Sequence, residues 1–501
     1  MKDNKESSEV NVDEQQKMKS RELTTLEVFI PMVTLIGLLA YNMLFLEDKD
    51  LFGGYTNQII LLIGGLVAAI VGLFNKISIS FMLQEIVDNL KSVLVPIFIL
   101  LLVGALAGTW LVSGIIPAMV YYGLQVLNPT IFLPASLIIA AIISIATGSS
   151  WTTSATVGIA LIGIGSALGI SSGMIAGAVI SGAYFGDKMS PLSDTTNLAP
   201  AMAGTDLFTH IRYMTITTVP TIVITLIVFT IISAGIDTTG SADVNALLST
   251  IKSTFNITPL VFIVPAIVVG LILLKTKPLV ALGMGVVLAA IFALIFQGDA
   301  LSKLSDSNIS AVITATFTDT NIVTDNEKLN ELFSSGGMQG MLSTIYLISC
   351  AMVFGGIMDA IGALSKITNL LLSFATTVFG LFASTVISCL GLNAITSDQY
   401  LAIVIPGKMF KKAYEDKGLA PENLSRTLED SGTVTSVLIP WNTCGAYQSS
   451  VLGVGVGEYF IYAIFNWLSP FTTLFFAALN LKIRQLDSGA KKTVTNEPKE
   501  S

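Results

Sequence analysis

The sequence is poor in charged residues, histidine and cysteine, and each shortage excludes a class of protein. Charged residues make up 12% of the 501 residues, whereas soluble proteins carry about 25%, so a soluble fold is excluded. One histidine and three scattered cysteines (Cys350, Cys389 and Cys444) supply neither a metal cluster nor a nucleophile with its base. We therefore expect no enzymatic activity, no cofactor and, at a net charge of −8, no nucleic-acid partner. The cysteines lie in apolar segments, where they are expected to be buried.

Long hydrophobic runs take the place of the missing charge. Hydrophobic residues make up 52% of the chain, and the mean hydropathy is +0.76. Several runs approach or exceed the roughly 18 apolar residues that are needed to cross a bilayer. They lie at residues 59–74, 93–112, 218–236, 261–274 with its flanks, 280–296 and 460–481. This pattern predicts an all-α, polytopic membrane protein in the lipid bilayer, with about 11 to 14 segments, some of them short or re-entrant.

The distribution of lysine and arginine predicts the orientation of the chain. By the positive-inside rule the basic segments are cytoplasmic, and the acidic segments 47–57 and 298–340 are external. Both termini are then cytoplasmic. Residues 1–26 are polar and have no signal-peptide cleavage pattern, so they are expected to form a disordered tail. The basic residues used here are Lys17, Lys19, Arg21, Lys275, Lys277, Lys408, Lys411, Lys412, Lys417, Arg426, Lys482, Arg484, Lys491 and Lys492.

One polar stretch, residues 182–197, lies between two apolar runs. It contains two aspartates, a lysine, a proline and several hydroxyl side chains. Charge at membrane depth is costly, so such residues normally face a cavity. A helix break is tolerated there only when it is buried in protein or lines water. The stretch therefore predicts a discontinuous helix at the ion or substrate site of a secondary transporter.

Two units of the chain share four features in the same order, which predicts an internal repeat. The first unit covers residues 92–235 and the second covers residues 342–480. Each has a glycine-containing span, a polar segment, a second polar segment around a proline, and a closing apolar span. By the positive-inside rule, the two units begin on opposite sides of the membrane. Inverted repeats with discontinuous helices are typical of alternating-access transporters and argue against a channel.

The two units contain four short polar segments. These are the first polar segment (147–153), the second polar segment (393–399), the first proline segment (190–195) and the second proline segment (439–444). The prolines of the two proline segments, Pro191 and Pro440, are 249 residues apart.

The predicted organisation places the transport machinery between scaffold spans. The scaffold spans could also form the contact of a homodimer. The divisions are a disordered cytoplasmic tail (1–26), N-terminal scaffold spans (27–91), the first transport repeat (92–235), scaffold spans with acidic external loops (236–341), the second, inverted repeat (342–480) and a cytoplasmic tail (481–501).

The four segments supply the oxygen ligands that a hard cation such as Na⁺ prefers. A buried carboxylate can hold either Na⁺ or H⁺, because both compete for one negative charge. The predicted cation- and proton-binding residues are Asp187, Asp194, Ser190, Ser193, Thr195, Thr196 and Asp398, with Asp187, Asp194 and Asp398 as the candidates for binding Na⁺. The predicted ion or substrate pathway is lined by Ser149, Ser150, Thr152, Thr153, Lys188, Asn197, Asn393, Thr396, Ser397, Asn442 and Thr443.

Several of these residues have structural alternatives. Asp194 could cap the helix that follows Pro191. Asp187 and Lys188 could form a solvated pair at the end of a span. The hydroxyls of the first polar segment could bond within a helix. Outside this set, residues 429–431 are expected at the cytoplasmic entrance or in a cap, and His210 at the surface.

Three motifs resemble those of the NhaC family of Na⁺/H⁺ antiporters. They are residues 148–153, 186–196 and 440–445, and the similarity extends from about residue 24 to residue 485. The resemblance implies an exchanger of Na⁺ and H⁺ in the bacterial inner membrane. The family also contains malate/lactate exchangers coupled to Na⁺ and H⁺, so a dicarboxylate or lactate is the alternative substrate. Such a carrier needs an anion site, which Lys188 and the first polar segment could supply.

Overall fold

The computed structural model describes residues 23–45, 55–126, 128–236, 244–274 and 276–486. The predicted tails fall mostly outside these ranges, as does Lys275. Most of the described residues are helical, and the helices that precede the first proline segment end at Met189. Their bounds are Thr25–Phe45, Thr56–Phe74, Ile79–Ser92, Leu94–Val112, Ile115–Val126, Pro129–Thr147, Ser150–Thr153, a π-helical turn Ser154–Gly158, Ile159–Ala167 and Ser172–Met189.

The rest of the chain is also helical apart from one small hairpin. The two strands of the hairpin, Thr320–Asn321 and Ser334–Ser335, pair antiparallel. The helices are Asp194–Ala203, Leu207–Ala234, Val244–Thr254, a 3₁₀ turn Pro259–Phe262, Ile263–Leu273, Pro278–Phe296, Gly298–Ser302, Asn308–Phe317, Glu327–Leu332, Gly337–Gly340, Leu342–Ala360, Ala363–Ser373, Val378–Ile395, Leu401–Asp416, Pro421–Leu428, a π-helical turn Glu429–Thr433, a 3₁₀ turn Ser436–Leu438, Thr443–Leu452, Val456–Tyr459 and Ile464–Ala478.

Seven described helices are long and apolar enough to cross a membrane, which confirms the polytopic, helical class. An eighth span results if Val244–Thr254 and Pro259–Leu273, which meet at 86°, are counted as one. Shorter apolar helices include Ile115–Val126 and Ile464–Ala478, the second of which lies within the predicted run 460–481. The seven helices are Thr56–Phe74, Leu94–Val112, Pro129–Thr147, Leu207–Ala234, Pro278–Phe296, Gly337–Ala360 and Val378–Ile395.

The closing span of the second unit differs from the prediction. A continuous run over residues 460–481 was expected, but the helix there is Ile464–Ala478, and a short helix Val456–Tyr459 precedes it. The sequence interpretation counted Arg426 among the basic residues of a cytoplasmic loop, and the loop assignment is wrong. Arg426 lies in the helix Pro421–Leu428, is fully buried and stacks 4.6 Å from the ring centroid of Tyr213.

Left-handed backbone positions recur at a fixed spacing in the two units. Glycine adopts a positive φ without steric cost, and a helix commonly ends at such a residue. The helix Asp194–Ala203 and the helix Thr443–Leu452 are 249 residues apart at both ends. Three pairs of positive-φ residues have the same spacing: Gly148 and Ser397, Gly169 and Gly418, and Gly204 and Gly453.

Small residues bring the helix Ser172–Met189 against the helix Pro129–Thr147. A Cβ atom on Gly182 would lie 2.2 Å from the carbonyl oxygen of Leu137, and one on Gly186 would lie 2.4 Å from that of Ala141. Glycines at such positions let two helix backbones approach closely. This contact holds the carboxyl-terminal end of Ser172–Met189, and with it Asp187, beside the first polar segment.

Candidate functional site

The first proline segment interrupts a helix between Met189 and Asp194. The helix Ser172–Met189 ends there, and the helix Asp194–Ala203 begins. Ser193 is the N-cap of this second helix, and its side chain accepts a hydrogen bond from the backbone N–H of Thr196 at 3.4 Å. The hydroxyl of Thr196 in turn donates to the carbonyl oxygens of Asp187 (3.3 Å) and Lys188 (3.1 Å). Proline lacks an N–H and serine is a good N-cap, so this sequence ends one helix and starts another.

Asp187 is buried, with 6% of its surface exposed. Its Oδ2 accepts hydrogen bonds from the backbone N–H (3.0 Å) and the hydroxyl (2.7 Å) of Ser150. Ser150 is the first residue of the short helix Ser150–Thr153 within the first polar segment, and a helix start stabilises negative charge. The other oxygen, Oδ1, is buried and has no hydrogen-bond partner among the described residues. Asp187 therefore offers one buried acceptor oxygen to a ligand.

Lys188 is fully buried and forms an ion pair with Asp430, which is also fully buried. The Lys188 ammonium lies 5.8 Å from the ring centroid of Phe465. The pair joins residues that are 242 positions apart in the sequence. The alternative of a solvated Asp187–Lys188 pair is therefore wrong, because both side chains are buried and Lys188 pairs elsewhere.

Hydroxyl side chains complete the surroundings of Asp430. Its Oδ2 accepts hydrogen bonds from Thr217 at 2.8 Å and from Thr473. Its Oδ1 accepts a hydrogen bond from Ser469 at 3.2 Å, in addition to the contact with Lys188. Residues of both units thus surround this carboxylate, since Lys188 and Thr217 belong to the first unit and Thr473 to the second.

Glu429 is the functional candidate that the sequence interpretation missed. It was placed at the cytoplasmic entrance or in a cap, but it is fully buried in the π-helical turn Glu429–Thr433. Neither carboxylate oxygen has a hydrogen-bond partner among the described side chains and backbone groups. Lys188, Asp187 and Asp430 are within its electrostatic reach. The only sequence signal was an acidic pair that follows a polar helix, which cannot be told from a loop.

Asp194 lies at an exposed position, unlike Asp187. It is the first residue of the helix Asp194–Ala203, and its Oδ1 accepts a hydrogen bond from the backbone N–H of Thr195 at 2.9 Å. Its Oδ2 accepts a hydrogen bond from the hydroxyl of Tyr400, which follows the second polar segment. The N-cap itself is Ser193, so Asp194 supports the helix start and connects the two units.

Asp398 lies in the second polar segment and is 6% exposed. Its Oδ1 accepts a hydrogen bond from the backbone N–H of Leu401 at 2.9 Å, at the start of the helix Leu401–Asp416. Ser149, which is 249 residues earlier, accepts from the N–H of Thr152 at 3.2 Å in the same manner. Asp398 and Ser149 thus make the same type of contact, in which the side chain accepts from the backbone N–H three residues later.

The three predicted aspartates do not converge on one metal site. Across the described ranges, no group of three or more histidine, cysteine, aspartate or glutamate side chains is arranged to hold a metal ion. Asp187 and Asp194 lie within electrostatic reach of each other. A cation at Asp187 would therefore depend on one carboxylate and on neutral oxygens.

The second polar and second proline segments are in direct contact. The side-chain amide of Asn442 donates to the carbonyl oxygen of Asn393 at 3.0 Å, and Asn393 donates to the carbonyl oxygen of Gly432 at 2.7 Å. The backbone N–H of Thr443 donates to the carbonyl oxygen of Ser397 at 2.9 Å. The structure thus brings these sequence-predicted residues together.

Other predicted pathway residues bond mainly to nearby backbone. Thr153 donates to the carbonyl oxygen of Ser149 at 2.9 Å, and Thr396 donates to that of Leu392 at 2.9 Å. Asn197 is exposed and donates to the carbonyl oxygen of Ser193 at 2.6 Å. The contact of Thr153 agrees with the alternative in which the hydroxyls of the first polar segment bond within their own helix.

The three hydroxyl residues of the first proline segment, Ser190, Ser193 and Thr195, are buried, whereas Pro191 and Leu192 are exposed. The Ser190 hydroxyl accepts from the N–H of Leu192 at 3.3 Å, and Ser193 and Thr195 share a hydroxyl contact of 3.2 Å. The hydroxyl of Ser397 is different, because it is buried without a partner in the described structure.

An aromatic stack joins the first polar segment to the second unit. The rings of Trp151 and Tyr447 are 3.9 Å apart at an angle of 17°. The Tyr447 hydroxyl also donates to the carbonyl oxygen of Trp151 at 3.1 Å. The two units are therefore connected through Trp151–Tyr447, through Asp194–Tyr400 and through Lys188–Asp430.

Comparison with known proteins places this site in a family. A family model described as the Na⁺/H⁺ antiporter family matches residues 182–481. The chain is 39% identical over 427 residues to the Na⁺/H⁺ antiporter NhaC of Alkalihalophilus pseudofirmus, covering 85% of this chain and 91% of that protein. It is 38% identical over 393 residues to the Na⁺/H⁺ antiporter NhaC of Bacillus subtilis, covering 78% and 85%.

A relative with a different name is nearly as similar. The malate-2H⁺/Na⁺-lactate antiporter of Bacillus subtilis is 36% identical over 429 residues, covering 85% of this chain and 88% of that protein. The family match spans both proline segments and the second polar segment, and the alignments cover most of each chain. The resemblance seen in the sequence is confirmed: this chain belongs to the Na⁺/H⁺ antiporter family.

Proposed function

We propose that the protein exchanges Na⁺ for H⁺ across the bacterial inner membrane by alternating access, with both termini in the cytoplasm. The observation that carries this proposal is the buried, unpartnered Oδ1 of Asp187 at a helix break. A carboxylate held by Ser150 on one oxygen and free on the other suits a small cation. The family to which the chain belongs supports the same exchange.

Na⁺ would bind at Asp187 with neutral oxygens of the first proline segment and of Thr196, which follows it. Ser190, Ser193 and Thr196 are buried beside the break and supply hydroxyl and carbonyl oxygens. Asp194, at the exposed end of the break, would attract the cation from water. Helix breaks at membrane depth are the positions where transporters coordinate ions.

The internal repeat is part of the proposal and has support from the backbone. The paired left-handed residues and helix ends at a spacing of 249 are expected if two units share one fold. Lys188 and Asp430 then link the broken helix of one unit to the other. Asp187 is adjacent to Lys188, so a cation bound at Asp187 would affect this ion pair. Cation binding would then be coupled to the movement of one unit relative to the other.

Exchange of malate and lactate is the alternative, and one relative carries that name. It needs an anion site, for which the sequence offered Lys188 and the first polar segment. In the structure Lys188 already pairs with Asp430, and the N–H and hydroxyl of Ser150 already bond to Asp187. Both candidate anion-binding groups are occupied by aspartates, which favours Na⁺/H⁺ exchange.

The test is Na⁺-driven proton movement in proteoliposomes that contain a pH-sensitive dye. The wild type is expected to move protons on addition of Na⁺ without L-malate, and Asp187→Asn is expected to lose this activity. Asp88→Asn removes an exposed carboxylate outside the site and is the matched control. Activity that appears only with L-malate would favour the organic-acid exchanger. Full activity in Asp187→Asn would remove Asp187 from the cation site.

A further inference from the structure

Glu429 has surroundings unlike those of any other described carboxylate. It alone has both carboxylate oxygens buried without a hydrogen-bond partner in the described part of the chain. The hydroxyl of Thr433, at the end of the same π-helical turn, is buried close to Glu429 but makes no well-formed hydrogen bond either. An ionised carboxylate in a protein interior is disfavoured when no well-formed hydrogen bond stabilises it, so these surroundings favour the protonated form of Glu429.

Asp187 provides the contrast. One of its oxygens receives two hydrogen bonds from Ser150 at a helix start, which stabilise negative charge. Glu429 receives no well-formed hydrogen bond from the described residues, and the only hydroxyl that acts on it is that of Thr433. Two carboxylates within electrostatic reach of each other thus have opposite environments, one suited to the charged form and one to the neutral form. In such a pair, the charged carboxylate can bind a cation while the neutral one binds a proton.

Few other charged groups face Glu429. Asp187 and Lys188 of the first unit are within its electrostatic reach, and Asp430 is its neighbour on the same turn. The helices Val378–Ile395 and Ile464–Ala478, which pack against the turn, contain no charged residue, although Cys389 lies on the first of them. The packed helix Asp194–Ala203 contributes only Asp194.

Two further helices that contact the turn do carry charged or titratable residues. Arg426 of Pro421–Leu428 is fully buried, but its guanidinium stacks on Tyr213. The other charged or titratable residues on these two helices are Glu422, Lys408, Lys411, Lys412, Tyr414, Glu415 and Asp416. Lys408, Lys412, Glu415 and Asp416 are exposed, so water screens their charges.

The π-helical turn and the comparison with the first unit both indicate that Glu429 has more than a structural role. Such turns are rare and are frequent at functional sites. The position 249 residues before Glu429 is Ile180, a fully buried residue in a regular helix. The first unit therefore shows that the fold accepts an apolar residue here, and a buried glutamate in the second unit needs another reason.

We propose that Glu429 carries the exchanged proton, separately from the cation at Asp187. This rests on the proposed Na⁺/H⁺ exchange. With Glu429 protonated, the charges of Asp187, Lys188 and Asp430 leave one net negative charge. When the O–H bond of Glu429 breaks, its proton passes to water and the carboxylate becomes charged. A Na⁺ bound at Asp187 then restores the same net charge, and this balance couples the two ions.

The test separates proton coupling from Na⁺ handling in proteoliposomes. Two fluxes are measured for each protein: uptake of radioactive Na⁺ driven by a pH gradient, and exchange of radioactive for unlabelled Na⁺ without a gradient. Glu429→Gln mimics the protonated side chain and should fold. It is expected to lose uptake driven by the pH gradient and to keep Na⁺/Na⁺ exchange, with little dependence on pH. Glu415→Gln, which changes an exposed glutamate, should behave as the wild type.

Gradient-driven uptake that persists in Glu429→Gln would overturn the assignment, as would the loss of both fluxes in a folded variant. Absence of gradient-driven uptake in the wild type would instead refute the proposed function. A second measurement does not depend on the glutamine variant. Infrared difference spectra of the wild type on Na⁺ addition should show the loss of a protonated carboxyl band, and Glu429→Asp should shift that band. No such loss in the wild type would also overturn the assignment.

Discussion

Replacement of Lys188 by methionine tests the buried ion pair at the centre of the molecule. The substitution keeps most of the apolar stem but removes the ammonium group, so the fully buried carboxylate of Asp430 loses its counter-charge. Removal of one partner from a buried pair typically costs about 3–5 kcal/mol in the free energy of unfolding. Three hydroxyl donors remain on Asp430, so we expect a loss near the lower end, about 3 kcal/mol.

The second substitution, Asp430→Asn, isolates the electrostatic part. The double variant Lys188→Met/Asp430→Asn has no stranded charge, and its amide oxygen still accepts from Thr217. We expect the double variant to recover most of the loss and to remain about 1 kcal/mol below the wild type. Unfolding in mild detergent is followed by tryptophan fluorescence during titration with sodium dodecyl sulfate.

The exposed ion pair of Lys91 with Asp88 supplies the control. Its side chains are 59% and 49% exposed, and the atoms are 2.7 Å apart. Pairs of this kind contribute little because water and salt screen them, so Lys91→Met should leave the unfolding transition unchanged. Equal effects of Lys91→Met and Lys188→Met, or simple additivity in the double variant, would refute the buried pair.

Two further predictions concern packing and the contact between the units. Gly182→Ala should destabilise the protein by about 1–3 kcal/mol, because the new Cβ would lie 2.2 Å from the carbonyl oxygen of Leu137. At Gly391 an added Cβ would have no neighbouring atom within 4 Å, so Gly391→Ala should stabilise its helix by about 0.5–1 kcal/mol. Equal shifts of the thermal unfolding temperature would contradict this contrast. Tyr447→Phe should cost about 1 kcal/mol through the hydrogen bond to Trp151, with the ring stack kept. A thermal scan that shows no loss would contradict a role for the hydroxyl.

Composition and local breaks were predictable from the sequence because they depend on neighbouring residues. The shortage of charge and the long apolar runs predicted the helical membrane class, which the structure confirms. Proline and serine predicted the interruption at the first proline segment, and the structure has it between Met189 and Asp194. The three cysteines are buried, as expected from their apolar surroundings.

The sequence could not show which carboxylates are buried. Asp187 and Asp194 are residues of the same type only seven positions apart, but the helix break leaves Asp187 buried and Asp194 exposed. His210 was expected at the surface, and this is wrong, because it is fully buried and contacts the hydroxyl of Ser425 at 2.7 Å. Short-range patterns describe a residue's neighbours in the chain, whereas burial depends on which helices pack over it.

The sequence by itself determined that this chain is a membrane protein, that its helices break at polar segments, and that it resembles Na⁺/H⁺ antiporters. These features follow from hydrophobicity, from the missing N–H of proline and from motifs in contiguous residues. Only the tertiary structure decided that Lys188 pairs with Asp430, that Asp187 keeps one free oxygen, and that Glu429 has no partner among the described residues. Each of these depends on side chains from distant parts of the chain, because the packing of the two units determines which charges meet and which are left alone.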